Sequence, residues 1–243
     1  MEDYSNISGV TVELSDTASI SEITDLFFDN DFFHLVVSQT NLYHFQMKEL
    51  HKNSAKTLPW TEVTTSDMKK FLGLLILMGQ TKKACWRDYW STDPLVEAPI
   101  FPKTMSRMRF EQIFTFFHLS DNVQNAPSRD RLCKIRPLLD YIIPKIQSMY
   151  VPKQQLSLDE AMIPWRGRLS FKTYNPAKIT KYGILLRMVC ESESGYIVTL
   201  KSIRVKEKSY KKLYYQSCSR ILVISIMCIK TITTTTFLQL VYY

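Results

Sequence analysis

Apolar residues recur near helical spacing through the first 150 residues, and the period then changes. In the stretch from Ile23 to Leu50, Phe32, Phe33, Val36 and Val37 fall on one helical face behind a capping Asn or Asp at 29–31. Leu42, Phe45 and Leu50 continue that apolar face. Thr65-Ser66-Asp67 is a helix start signal, and the run Phe71 to Met78 reads as a buried helix with Gly79 as its C′ residue. A loop punctuated by Pro94, Pro99 and Pro102 follows, with an aromatic cluster at Trp86, Tyr89 and Trp90. Met105 to His118 is amphipathic and helical. Leu132 to Tyr150 is a further helix, with Pro137 near its first turn and Pro144 as a kink. Leu72, Leu75, Ile76, Ile113 and Phe117 are expected in the core.

From Val151-Pro152 the segments become short and β-rich, broken by Gly and Pro. Strands are expected over Leu156–Asp159, Gly183–Cys190 and Tyr196–Val205, with Asp159 near a strand end, a turn at Glu193-Ser194-Gly195 and an unpaired edge after the last strand. The fold class is therefore α+β. The expected organisation is a disordered acidic arm over 1–22, a helical domain over 23–150, a partial sheet domain over 151–210 and an aberrant tail over 211–243.

Charge sharpens this division. The net charge is +8, yet residues 1–47 carry eight acidic side chains and no Lys or Arg, whereas residues 151–212 carry thirteen basic and five acidic ones. A cationic field concentrated on one segment favours a polyanionic partner over a general solubility role. Five cysteines without CxxC spacing argue against a disulfide framework or a Cys-rich zinc site and for a reducing compartment. The acidic N-terminus has no apolar signal region. The run Ile221 to Ile229 is far short of the about 20 residues a membrane span needs, so no membrane partner is expected.

The chemistry concentrates in Leu156 to Gly195. Asp159 and Glu160 sit at a short apolar segment. A basic arm of Arg166, Arg168, Lys172, Lys178 and Lys181 follows, interleaved with Trp165, Phe171, Tyr174 and Tyr182. A carboxylate beside a cationic, aromatic-studded ribbon suits contact with a phosphate backbone and metal-assisted chemistry on it; a hairpin with a solvated polar face is the plain alternative. Lys134 and Arg136, and likewise Arg107 and Arg109, are further candidate phosphate contacts, against a solvated helix face. The four histidines have no metal-ligand companions in the sequence and read as structural.

In order and spacing, a set of phrases from about residue 24 to residue 205 resembles the piggyBac-type transposases and the domesticated proteins derived from them. The phrases are Phe71-Leu72-Gly73, Tyr89-Trp90-Ser91, Met105-Ser106-Arg107, His118-Leu119-Ser120-Asp121-Asn122 and Lys134-Ile135-Arg136-Pro137. Leu156-Ser157-Leu158-Asp159-Glu160 is the most specific, followed by Gly167-Arg168 and Lys181-Tyr182-Gly183. The resemblance implies a helical dimerisation and DNA-binding domain, then an RNase H-like domain whose three Asp residues hold two divalent metal ions, Mg²⁺ in complete members, and a Cys-rich zinc domain. It carries the first catalytic, metal-binding Asp onto Asp159. It also implies double-stranded DNA as partner, a homodimer or a dimer with a full-length relative, and a nuclear location. No Asp follows Asp159, and the Cys-rich domain is missing from these residues. A non-cleaving DNA-binding protein is therefore expected, without stably bound Mg²⁺; the alternative is a fragment of a transposon gene with no selected role.

The tail from Tyr214 reads as out of frame. Thr codons begin AC and Ile codons begin AT, so triplets begun one base earlier across Thr231 to Thr236 become xAC or xAT. Those encode only Tyr, His, Asn or Asp. The second catalytic segment of the resembled family, similar to Asp-Asn-Tyr-Tyr-Asn, is drawn from that alphabet, and AAG at Lys230 would restore its Asp.

Overall fold

The computed structural model describes residues 7–15, 17–50, 59–124, 130, 132–165 and 172–202. Arg166, Arg168 and the tail over 211–243 lie outside the described residues. In chain order the elements are β1 (Gly9–Val10), α1 (Ile20–Phe27), α2 (Asn30–Leu50), α3 (Thr65–Gln80), a 3-10 helix (Trp86–Trp90), α4 (Ile100–Thr104) and α5 (Arg107–Phe116). They continue with α6 (Arg136–Met149), β2 (Tyr150–Val151), β3 (Leu156–Pro164), β4 (Thr173–Tyr174), β5 (Tyr182–Glu191) and β6 (Ile197–Ser202). The chain divides into two compact units, Phe28–Ile135, and Arg136 onward together with the residues up to Phe27. No described helix is long and apolar enough to cross a membrane.

In the helical unit, the Asp29 side chain accepts from the Phe32 amide at 3.0 Å and caps α2. Phe32, Phe33, Val36 and Tyr43 form its buried face. Phe45 and Leu50, expected to extend that face, are exposed. Thr64 caps α3 in a reciprocal box with Asp67. Gly79 is not a C′ residue, because α3 continues to Gln80 and closes at Thr81. Leu72, Leu75, Ile113 and Phe117 are buried as expected, whereas Ile76 is only half-buried. Phe71 packs its ring on Phe110 and Phe117.

Arg109 fastens three segments of this unit. Its guanidinium donates to the carbonyls of Thr61 at 2.8 Å and Glu62 at 3.0 Å, pairs with Asp67 at 2.9 Å, and lies over the Trp60 ring. An Arg109→Ala chain should lose about 2 kcal/mol from the urea unfolding of this unit, because donors to a charge and two carbonyls vanish together. Arg109→Lys should recover little, since an ammonium cannot reproduce the planar fork.

The sheet unit is built on β5. β3 pairs antiparallel along one edge, from Leu156↔Glu191 to Pro164↔Gly183. β4 and β6 share the other edge, β4 through Thr173↔Gly183 and Tyr174↔Tyr182, and β6 from Leu186↔Ser202 to Cys190↔Ile197 with a register shift at Val189/Cys190. Ile163, Ile184, Leu186, Met188 and Cys190 are buried on one face. α6 packs on β6, and Tyr196 Oη donates to the Ile146 carbonyl at 2.8 Å. Gly195, at φ 71°, makes the β5–β6 turn, where its amide returns to the Glu191 carbonyl at 3.0 Å.

Three expectations change here. The acidic arm over 1–22 contains β1, which pairs with β2 through Gly9↔Val151 and Val10↔Tyr150. It also contains the start of α1, whose Ser19 and Glu22 exchange capping hydrogen bonds at 3.2 and 2.6 Å. The boundary between units falls at 135/136 rather than 150, because α6 belongs with the strand it covers. The first strand is nine residues long rather than four, so Asp159 sits in its middle, opposite Met188, and not at a strand end.

Candidate nucleic-acid interface

The site is built where β3, β4 and β5 meet. Asp159 is exposed on β3, whose one partner strand among the described residues is β5. Asp159 shares a face with Ser157 and with Cys190, the cross-strand partner of Ser157, and burial together with the Asp159 charge pushes the Cys190 thiol up from its ordinary value. Glu160 takes the other face, where its carboxylate pairs with Arg187 at 3.2 Å, its cross-strand partner.

The β4–β5 turn is braced from inside. The Asn175 amide donates to the Lys181 carbonyl at 2.8 Å, and the Asn175 side chain accepts from the Ala177 amide at 3.0 Å. Lys178 Nζ donates to the Glu160 carbonyl at 2.9 Å and ties the turn to β3. At the base, the rings of Tyr174 and Tyr182 pack at 4.6 Å with a tilt of 36°, and Lys172 Nζ lies 5.7 Å from the centre of the Tyr182 ring. Lys172 and Lys181 are exposed. The structure therefore brings together Lys172, Lys178 and Lys181 of the expected cationic set, with Lys178 also serving the fold.

The remaining candidates fall elsewhere. Arg136 opens α6 in the sheet unit. Lys134 belongs to the helical unit, where Nζ donates to the Asn122 side chain at 3.1 Å. That Asn122 oxygen also meets His118 Nε2 at 3.1 Å, and the buried His118 ring stacks on Tyr43 at 4.2 Å. Gln46 donates to Asp121 at 2.9 Å, so the His118-to-Asn122 phrase works as a packing node. Trp90 packs against Phe101 and Phe110 and donates to the Met105 carbonyl at 2.8 Å.

Glu191, read from sequence as a turn residue, is the last residue of β5 and is buried. Its carboxylate accepts from Tyr150 Oη at 2.8 Å, from the Lys153 amide at 2.6 Å and from Ser194 Oγ. Burial alone would raise its pKa, but the hydrogen bonds from Ser194, Lys153 and Tyr150 outweigh that and hold it below 4.5. Among the described residues no three His, Cys, Asp or Glu gather where a metal ion could sit. The carboxylates among the described residues do not gather into a two-metal centre. Glu160 faces away and is paired, Glu191 is consumed by its own donors, and Asp159 alone does not fix an ion that needs several carboxylates.

A family model described as Transposase IS4 matches residues 21–228. The chain belongs to this transposase family. The match runs into the segment that the codon reading places out of frame. Similar curated proteins are of piggyBac type. The chain is 30% identical over 163 residues to human PiggyBac transposable element-derived protein 3, covering 67% of this chain and 26% of that one. It is 30% identical over 175 residues to human PiggyBac transposable element-derived protein 2, covering 72% and 27%. The chain thus spans about a quarter of the length of these relatives. Among solved structures it resembles the piggyBac transposase in a cryo-EM synaptic complex with hairpin DNA, with a TM-score of 0.66 and 23% identity over 82% of this chain and 41% of that one. That likeness supports the mixed helix-and-sheet fold.

Proposed function

We propose that this piggyBac-type chain is a transposase-derived protein that binds double-stranded DNA through the β4–β5 turn and does not itself cut strands. The observation that carries the reading is the exposed Lys172 and Lys181 flanking a braced turn over the packed Tyr174–Tyr182 pair. Exposed cations beside exposed aromatic rings suit a phosphate backbone. Arg166 and Arg168 precede this turn in sequence and extend the basic arm, and Arg136 and Lys134 are secondary contacts. The nucleus is the proposed location, and a homodimer or a dimer with a full-length relative the proposed assembly.

A supercoiled plasmid in Mg²⁺ buffer tests both halves. At low salt the chain should retard the plasmid without nicking it, and Asp159→Ala should behave alike or bind slightly tighter, by about 1 kcal/mol or less for one exposed like charge. Mg²⁺-dependent nicking that Asp159→Ala abolishes would overturn the non-cleaving assignment. Folded protein that leaves the plasmid unshifted would support a fragment without a selected role.

A further inference from the structure

Ile179 stands at the tip of the β4–β5 turn with a relative exposure of 104%, above every other large apolar side chain among the described residues. Turn geometry does not call for it: turns favour Gly, Pro, Asn, Asp and Ser, and a β-branched aliphatic residue contributes nothing to the backbone bend. Nor is it a loose loop residue. The Asn175–Lys181 hydrogen bond, the Asn175 side-chain bond to Ala177 and the Lys178 tie to the Glu160 carbonyl hold the turn on both flanks. The side chain is thus a fully exposed apolar point on a braced projection whose two flanks carry the exposed Lys172 and Lys181. Cations draw in a polyanion, and the apolar interior that a polyanionic duplex offers is the stack between two base pairs. Aliphatic side chains enter such stacks as wedges, partly unstacking the step and kinking the duplex.

We infer that Ile179 is a wedge that inserts between base pairs of bound duplex DNA, unstacking one step; this rests on the DNA-binding reading above. The wedge favours steps that open at low cost, so a duplex with a mismatch or a flexible pyrimidine–purine step should bind better than a uniformly stacked one. A lone Ile gives an acidic membrane little apolar area to take up, which is why the duplex is the favoured occupant.

The test uses the full chain and Ile179→Ser, with Ile179→Leu as the conservative variant. The probe is duplex DNA carrying 2-aminopurine beside a central mismatch. Bound wild-type chain should raise the 2-aminopurine emission severalfold, Ile179→Leu should retain most of that rise, and Ile179→Ser should abolish it. Ile179→Ser should also lose about tenfold in affinity for the mismatched duplex while keeping the same salt dependence, because the lysines remain. Its far-UV circular dichroism should match wild type, since the replaced side chain packs on nothing. Binding with an unchanged salt slope but no emission rise in wild type would overturn the wedge and leave the DNA-binding reading intact. No binding at all would overturn that reading and the wedge with it. Loss of binding to phosphatidylserine vesicles in Ile179→Ser, with no effect on 2-aminopurine emission, would overturn the wedge in favour of a membrane contact.

Discussion

A Gly183→Ala chain should melt about 6–12 °C below wild type, from a loss of about 3 kcal/mol, the upper end for overpacking, spread over a chain of this size. Gly183 lies between β3 and β4, opposite Pro164 on one edge and Thr173 on the other. A Cβ added there would meet the Ile163 carbonyl oxygen at 2.1 Å and its carbon at 2.9 Å, with Met162 Cγ at 3.0 Å. The first two are backbone atoms and cannot rotate aside, so the strands must part. The turn that carries Lys178, Ile179 and Lys181 begins at this strand end, so DNA affinity should fall with stability. Thermal melting by circular dichroism is the measurement, and an unchanged midpoint would mean that β3 and β5 do not approach so closely.

Glu191→Ala should cost the sheet unit about 3 kcal/mol or more, because three donors are left in a buried site without an acceptor, each at about 1–3 kcal/mol. The donors come from separate places: Tyr150 in β2, the Lys153 amide before β3, and Ser194 in the β5–β6 turn. Glu191→Gln should be intermediate, since its amide brings hydrogens where acceptors are needed. The same carboxylate sets an acid limb. Its pKa is lowered on folding, so its contribution is complete above pH 4.5 and is lost as pH falls through the lower folded value. Tyr150 sets the alkaline side. Burial and the Glu191 carboxylate push its hydroxyl up to about 12 from 10.0, so its contribution is complete below pH 10 and disappears as pH rises through about 12. Urea midpoints between pH 3 and pH 6 check the acid limb, which should flatten in Glu191→Ala; equal pH profiles for the two chains would contradict this role.

Much of the fold was legible because its signals are local. The Thr64–Asp67 box marks the start of α3 within four residues, and Pro137 sits in the first turn of α6 as a helix start allows. The Ser19–Glu22 box is just as local and would have corrected the disordered arm. What stayed hidden depends on distant partners. Gly9–Val10 carries no strand signal of its own, and its pairing with Tyr150–Val151 crosses most of the described chain. Glu191 meets Tyr150 across 41 positions, so next to Ser192 and Glu193 it looks like any polar turn residue. The charged Asp159-Glu160 pair made β3 look short, whereas its register with β5 carries it through both carboxylates to Pro164. Of the site, the cationic turn was legible as a charge pattern with interleaved aromatics. The bracing by Asn175 and Lys178, and the exposure of Ile179, arise only in the folded turn, from contacts between β4, β5 and β3.

The most direct test of DNA binding by the β4–β5 turn is the affinity for duplex DNA measured against salt concentration, for the chain and for a Lys172→Ala/Lys181→Ala variant. Log K should fall linearly with log salt, and the double substitution should make the slope shallower by about 1.8, or about 0.9 for each phosphate contact removed. Folded protein that does not bind at low salt, or a slope that the double substitution leaves unchanged, would contradict it.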